Sequence, residues 1–226
     1  MTKLILIFAA ALLLLTGCTA NAPAPTVTEV PATEVPTANP SAEPTAEPAV
    51  TDFTQEPTHT TITGTVDKVE GTQIWLKETG SESVSRVLNT SAETFVADAK
   101  TGAKAEFSAI KAGDVIAAEI SKAQAQSLPP QSPTFAVFVN LSEDPFPPRY
   151  AVVVSVETKQ DGSVWILTDI STYWIVSATT EILNYADGGK ADLAAIKEGS
   201  KLIGWYQIET RSLPGQATPT RVVVLP

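Results

Sequence analysis

Ile110-Lys111-Ala112-Gly113 returns 86 residues later as Ile196-Lys197-Glu198-Gly199, and this recurrence decides how the chain is built. At the same spacing Lys104-Ala105-Glu106-Phe107 matches Lys190-Ala191-Asp192-Leu193, and Ser91-Ala92-Glu93-Thr94 matches Ser177-Ala178-Thr179-Thr180. Ile74-Trp75-Leu76 matches Val164-Trp165-Ile166 at a spacing of 90, and Ser127-Leu128-Pro129-Pro130-Gln131 matches Ser212-Leu213-Pro214-Gly215-Gln216 at 85. Five collinear matches with so little drift identify a tandem repeat. It divides the chain into one module over 61–142, a Pro-rich connector over 143–149 and a second module over 150–226. The connector, Glu143-Asp144-Pro145-Phe146-Pro147-Pro148-Arg149, is stiffened by three prolines, which restricts the angle between modules and favours a shared interface around Phe146.

Each copy alternates apolar and polar residues, or runs through β-branched ones, between Gly, Asp and Asn. The pattern predicts strands near 61–69, 72–78, 83–90, 114–121 and 134–140 in the first copy. The second repeats them near 150–157, 163–168, 171–177, 200–208 and 219–225. Between the third and fourth strands, Phe107 and Ile110 sit one helical turn apart with Gly113 as a stop, and Leu193, Ile196 and Gly199 repeat the device. Three strands, a short helix and two strands is the element order of the OB-fold, a small Greek-key barrel. The chain therefore resembles the poorly characterised OB-like modules of bacterial secreted and envelope proteins. The expected fold class is all-β with small helical turns, two tandem OB-like five-stranded β-barrels after a disordered linker. The same strands would also suit two small β-sandwiches.

The N-terminus carries an address. Met1-Thr2-Lys3 and twelve apolar residues from Leu4 to Leu15 have the charged start and short apolar centre of a secretory signal, too short to span a bilayer, which takes roughly 20 residues. Leu15-Thr16-Gly17-Cys18 resembles the lipobox of bacterial lipoproteins. That resemblance implies a signal peptide over 1–17, removed on maturation, and lipidation of Cys18, which becomes a membrane anchor. It also implies an outward-facing location in the cell envelope, on the extracellular or periplasmic side. From Thr19 to Thr60 the chain holds eight of its seventeen prolines and six acids, with no Lys or Arg. Residues 18–60 are therefore expected to be a disordered tether that cannot bury enough apolar surface to order itself. In polyproline II form it reaches on the order of 100 Å. The single histidine, His59, falls at its end and is expected to be solvated.

Composition excludes several kinds of chemistry. With 15 basic against 25 acidic residues and a net charge of −10, the chain lacks the cationic surface that nucleic acid requires. One Cys and one His cannot build a zinc cluster or a catalytic triad, so no metal, cofactor or catalytic residue is assigned. Glu70, Glu93, Asp98, Asp114 and Glu119 are available to a paired-carboxylate hydrolase acting on cell-wall or extracellular polysaccharide, the alternative function. Repeat comparison weighs against it, because Glu93, Asp98, Asp114 and Glu119 become Thr179, Asn184, Ser200 and Trp205, as surface positions do.

The aromatics hold the sharper signal. Period two places Ile74 and Leu76 on one face of the second strand and Trp75 on the other, with Val164, Ile166 and Trp165 repeating this. If the aliphatic set fills the barrel, Trp75 and Trp165 stand outside, as do Tyr173 and Trp205, while Trp174 points inward. The outer face of strands two and three is a frequent OB ligand platform, so Trp165, Tyr173, Trp205 and Trp75 are the candidate contacts for a saccharide or protein ligand. Packing against the other module is the structural alternative for the same rings. The two Ser-Leu-Pro loops read as stiff connections whose Leu128 or Leu213 plugs a barrel end. The expectation is a non-catalytic envelope lipoprotein displaying tandem β-barrel modules for binding or structural interaction at the cell surface.

Overall fold

The first strand, β1 (His59–Glu70), begins two residues before the boundary that the composition suggests, because the β-branched run Thr60-Thr61-Ile62-Thr63 extends backward through His59. The computed structural model describes residues 56–141 and 146–226, which belong to one compact unit. The signal peptide, Cys18, nearly all of the tether and much of the connector lie outside the described residues.

The first module continues with β2 (Gln73–Glu78), β3 (Arg86–Asn89), β4 (Phe95–Asp98), β5 (Val115–Ser121) and β6 (Gln131–Val139). β1 pairs antiparallel with β2 and β5, β2 with β3, and β5 with β6, and β3 closes on β6 in parallel. The circuit β1-β2-β3-β6-β5 is a closed five-stranded barrel. The second module comprises β7 (Arg149–Thr158), β8 (Val164–Thr168), β9 (Thr172–Val176), β10 (Glu181–Asn184), β11 (Lys201–Trp205), β12 (Gly215–Ala217) and β13 (Arg221–Val224). Its pairings repeat the first set, with the counterpart of β6 broken into β12 beside β9 and β13 beside β11.

The repeat extends to single hydrogen bonds. A register shift bends β1 between Val66 and Lys68 and bends β7 between Val153 and Ser155. At each bend a glycine amide closes back onto the strand, Gly113 to the Val66 carbonyl and Gly199 to the Val153 carbonyl. Both glycines have positive φ, +93° and +80°, a conformation that favours residues without a Cβ. The helix expected before each of them is shorter than a helix, a single 3-10 turn over Phe107–Ala109 and over Leu193–Ala195.

Two features differ from the expectation. Each module has a sixth strand, β4 or β10, pairing in parallel with β6 or β13 outside the barrel circuit. Leu128 and Leu213 do not plug the barrels; they are 100% and 92% exposed at their loop tips. The loops are held by hydroxyls instead, Ser127 donating to the Pro129 carbonyl and Ser212 to the Pro214 carbonyl, both at 2.7 Å.

Each module has its own aliphatic core. Ile74, Leu76, Leu88, Ile116 and Val137 fill the first, and Ile166, Trp174, Val176, Leu202 and Val222 fill the second. A third buried cluster lies between them. Ala97, Ala99, Ala117 and Phe138 of the first module pack there against Leu183, Tyr185, Ile203 and Val223 of the second, and these are repeat counterparts. Both modules therefore present the same face, built on β4, β5 and β6 or on β10, β11 and β13. The small alanines of one copy receive the larger side chains of the other. Tyr185 spans the boundary, its hydroxyl donating to the Val96 carbonyl at 2.8 Å and accepting from the Val96 amide at 3.1 Å.

Candidate functional site

Two places hold the chemistry of the molecule. The first is a buried charge cluster at the module boundary. His59, expected in solvent, is 2% exposed and is an ordinary member of the first module. Its Nδ1 donates to Glu119 Oε1 at 2.8 Å and its Nε2 to Asp169 Oδ2 at 3.1 Å. Glu119, expected on a variable surface, is 0% exposed. Its second oxygen accepts from Thr61 Oγ1 at 2.6 Å and from Arg149 Nε at 3.2 Å. Asp169 is anchored in turn by the Val152 amide at 2.8 Å. Phe135 and Tyr150 stack on each other, with the imidazole edge-on to both.

Burial alone would lower the His59 pKa. The hydrogen bonds to Asp169 and Glu119, with the charges of both carboxylates, more than reverse this and raise it from 6.5 to about 9. Burial likewise works against the charge of Arg149, and the Glu119 carboxylate overcomes it, so the guanidinium pKa is raised. Burial, followed by the charges of Asp169 and Glu119, pushes Tyr150 up to about 12. At neutral pH the cluster is an imidazolium and a guanidinium satisfied by two carboxylates. A histidine already protonated is no general base. The cluster ties His59, Thr61 and Glu119 of one module to Arg149 and Asp169 of the other, so its role is a polar clamp.

The acids weighed for hydrolysis are placed individually. Glu70 pairs with Lys68 at 2.8 Å, and Glu93 is exposed. Asp98 accepts from the Lys100 and Thr101 amides and from the Asn140 side chain. Asp114 accepts from the Lys111 amide at 2.7 Å. The carboxylates that do converge, Glu119 and Asp169, hold an imidazolium between them. Among the described residues no three His, Cys, Asp or Glu side chains gather in a metal-ligating group.

The second place is the outer surface of the second module. The parity argument holds there: Val164, Ile166 and Trp174 are buried, while Trp165, Tyr173 and Ile175 are half-buried on the opposite face. Trp165 stands edge-to-face with Tyr173, ring centroids 5.4 Å apart, and faces Ile175 across the β8–β9 ladder. The Lys159 ammonium lies 5.1 Å from the indole centroid and pairs with Glu157 at 2.7 Å. The indole Nε1 donates to Ser163 Oγ at 3.2 Å.

Beyond Ile175 this face opens into a cleft of about 590 Å³ lined by Ile175, Gln216, Thr218, Trp205, Tyr206 and Ile208 among others. Trp205 thus lines the cleft, and Trp165 and Tyr173 stand next to it through their register partners Ile175 and Gln216. Trp205 is also a boundary residue, its Nε1 donating to the Ala99 carbonyl at 2.6 Å, so it is held rigidly as a cleft wall. Trp75 is elsewhere, on the first module, with Lys68 Nζ 4.2 Å from its ring centroid. The cleft is not legible in the sequence because it forms beside a strand break after Ala217, at Thr218, that is invisible in the pattern.

No family model, no curated protein and no solved structure matches the chain.

Proposed function

We propose that this chain is a non-catalytic lipoprotein of the cell envelope, anchored through Cys18 and displaying its paired barrels outward on a proline-rich tether to bind a surface ligand. The lipobox-like Leu15-Thr16-Gly17-Cys18 supports the anchor, and the composition of 19–60 supports the tether. One observation carries the binding half of the reading: the half-buried Trp165–Tyr173 pair on the outer face of β8 and β9. The two rings meet at 62°, so the face of one lies beside the edge of the other and together they offer an apolar surface with polar groups at its rim. The buried charge cluster supports a binding role over a hydrolytic one, because both of its carboxylates are committed to cations.

The test is Trp165→Ala, measured for thermal stability and for retention on cell-wall and glycan matrices. Reduced retention at nearly unchanged stability is the expected result. Lost stability with unchanged retention sinks the platform. Anchoring is tested separately by mass spectrometry of the mature N-terminus, where an unmodified Cys18 removes the lipoprotein half.

A further inference from the structure

The lining of the cleft beside Trp205 has a distinctive composition. In a chain of net charge −10, the described residues that line it include no Asp, Glu, Lys or Arg. Its walls are aromatic and aliphatic, from Trp205, Tyr206, Ile175 and Ile208, and its polar groups are the amides and hydroxyls of Gln216 and Thr218 with their neighbours. Ligand sites of this size combine apolar walls with a few placed polar groups. Neutral donors and acceptors around flat apolar rings suit a ligand that is uncharged, hydroxyl-rich and apolar on its ring faces. The charges nearest its walls are already committed, Arg221 over Trp205 to Glu181 and Glu209 beside Tyr206 to the Thr172 hydroxyl, so an ionic ligand would have to compete for a counter-charge, which is costly.

The cleft is also continuous with the aromatic face. Ile175, in its wall, is the cross-strand partner of Trp165, and Gln216 is the register partner of Tyr173. A ligand resting on Trp165 and Tyr173 therefore reaches the cleft by crossing β9 toward β12. Strand addition by a peptide is blocked along β8, which lies between β7 and β9, and along Thr172–Trp174 of β9, which β12 covers.

We infer that the second module holds an extended site for a neutral polysaccharide, with one stretch of the chain stacked on Trp165 and Tyr173 and the next lodged in the uncharged cleft against Trp205. This deepens the proposed function and rests on it. The first module lacks the second station, since Glu119, the repeat counterpart of Trp205, is buried in the charge cluster. The site therefore belongs to one copy only.

The test is calorimetry on residues 19–226 with neutral β-1,4-linked glucose and N-acetylglucosamine oligomers of two to six units. A galacturonate oligomer and a proline-rich peptide serve as comparison ligands. Affinity is expected to rise with oligomer length by about tenfold or more as added units enter the cleft. Thr218→Arg, at an exposed cleft position, should abolish that rise and leave the shortest binding oligomers unaffected, whereas Trp165→Ala should weaken every length. Ile208→Ser, on a side chain 80% exposed, provides a second cleft variant that does not touch the core.

Binding that depends on Trp165 but not on length, Thr218 or Ile208 overturns the extended site and leaves the aromatic platform standing. Preference for the galacturonate oligomer or the peptide overturns the ligand class. Failure of every neutral oligomer to bind overturns the inference outright, and retention of the Trp165→Ala variant on wall matrices then decides the broader reading independently.

Discussion

Raising the pH from 6 to 10 should loosen this protein through one side chain. His59 is raised from 6.5 to about 9 by the two carboxylates that grip it, so the folded state prefers the proton more strongly than the unfolded chain does. The sign follows directly: the stabilisation is fully present below about pH 6.5 and is lost as pH rises through about 9. At about 1.4 kcal/mol per pH unit between the two values, the imidazolium contributes about 3 kcal/mol. Its near-complete burial leaves little solvent to screen that interaction. In a folded unit of this size the loss corresponds to roughly 6–12 °C in melting temperature. Tyr150, the other titratable ring against the imidazole, is pushed up to about 12 and stays neutral across the window. Because the chain has one histidine, a single imidazole resonance reports the event directly by NMR, alongside urea unfolding at each pH. His59→Gln should flatten the stability profile between pH 6 and 9.5. A midpoint near 6.5 for that resonance, or a variant that loses stability in parallel with the parent, refutes the reasoning.

Other outcomes follow from the same contacts. Glu119→Ala leaves His59 and Arg149 buried without their shared anion and should cost about 3–5 kcal/mol in denaturant unfolding. Gly204→Ala places a methyl 2.8 Å from the Trp174 ring and should cost about 1–3 kcal/mol by overpacking, read as a lowered unfolding midpoint with unchanged slope. Leu128→Ser and Leu213→Ser remove fully solvated side chains and should each change stability by no more than about 0.5 kcal/mol; a larger loss would mean the loop tips pack after all.

The strands of the two modules were legible because their information is local. Alternation along β2 and β8 placed Ile74, Leu76, Val164 and Ile166 inside and both tryptophans outside, and Gly113 and Gly199 marked the turns. The strands β4 and β10 were not legible, since each is four residues long and its partner strand lies about 40 positions downstream. Phe95-Val96-Ala97-Asp98 carries no alternation of its own. His59 was hidden for a related reason: Pro57-Thr58-His59 continues the tether's composition, while the groups that bury it are 60 and 110 residues away. The clue available was the β-branched run after it, read backward.

Glu119 exposes a weakness in reading variation between copies as exposure. Glu119 and Trp205 occupy the same position on the same face, and both look toward the other module. They differ because they meet different neighbours there, the second module's Arg149 in one case and the first module's Ala99 in the other. Half of the candidate site was legible in the same way as the barrels, through the parity of Trp165 and Tyr173. The cleft half was not, because it exists only where the last strand breaks after Ala217 and the pieces diverge around Thr218.

The matched faces also set how many barrels such a chain accommodates. The first copy owns an alanine-lined side and the second its tyrosine- and branched-aliphatic-lined counterpart, and joining the two consumes both. Association of that kind terminates at a pair and does not propagate, as closed symmetric contacts do. A third copy appended after Pro226 would arrive with its greasy side bare and no vacancy to occupy, so growth of this architecture proceeds by twos.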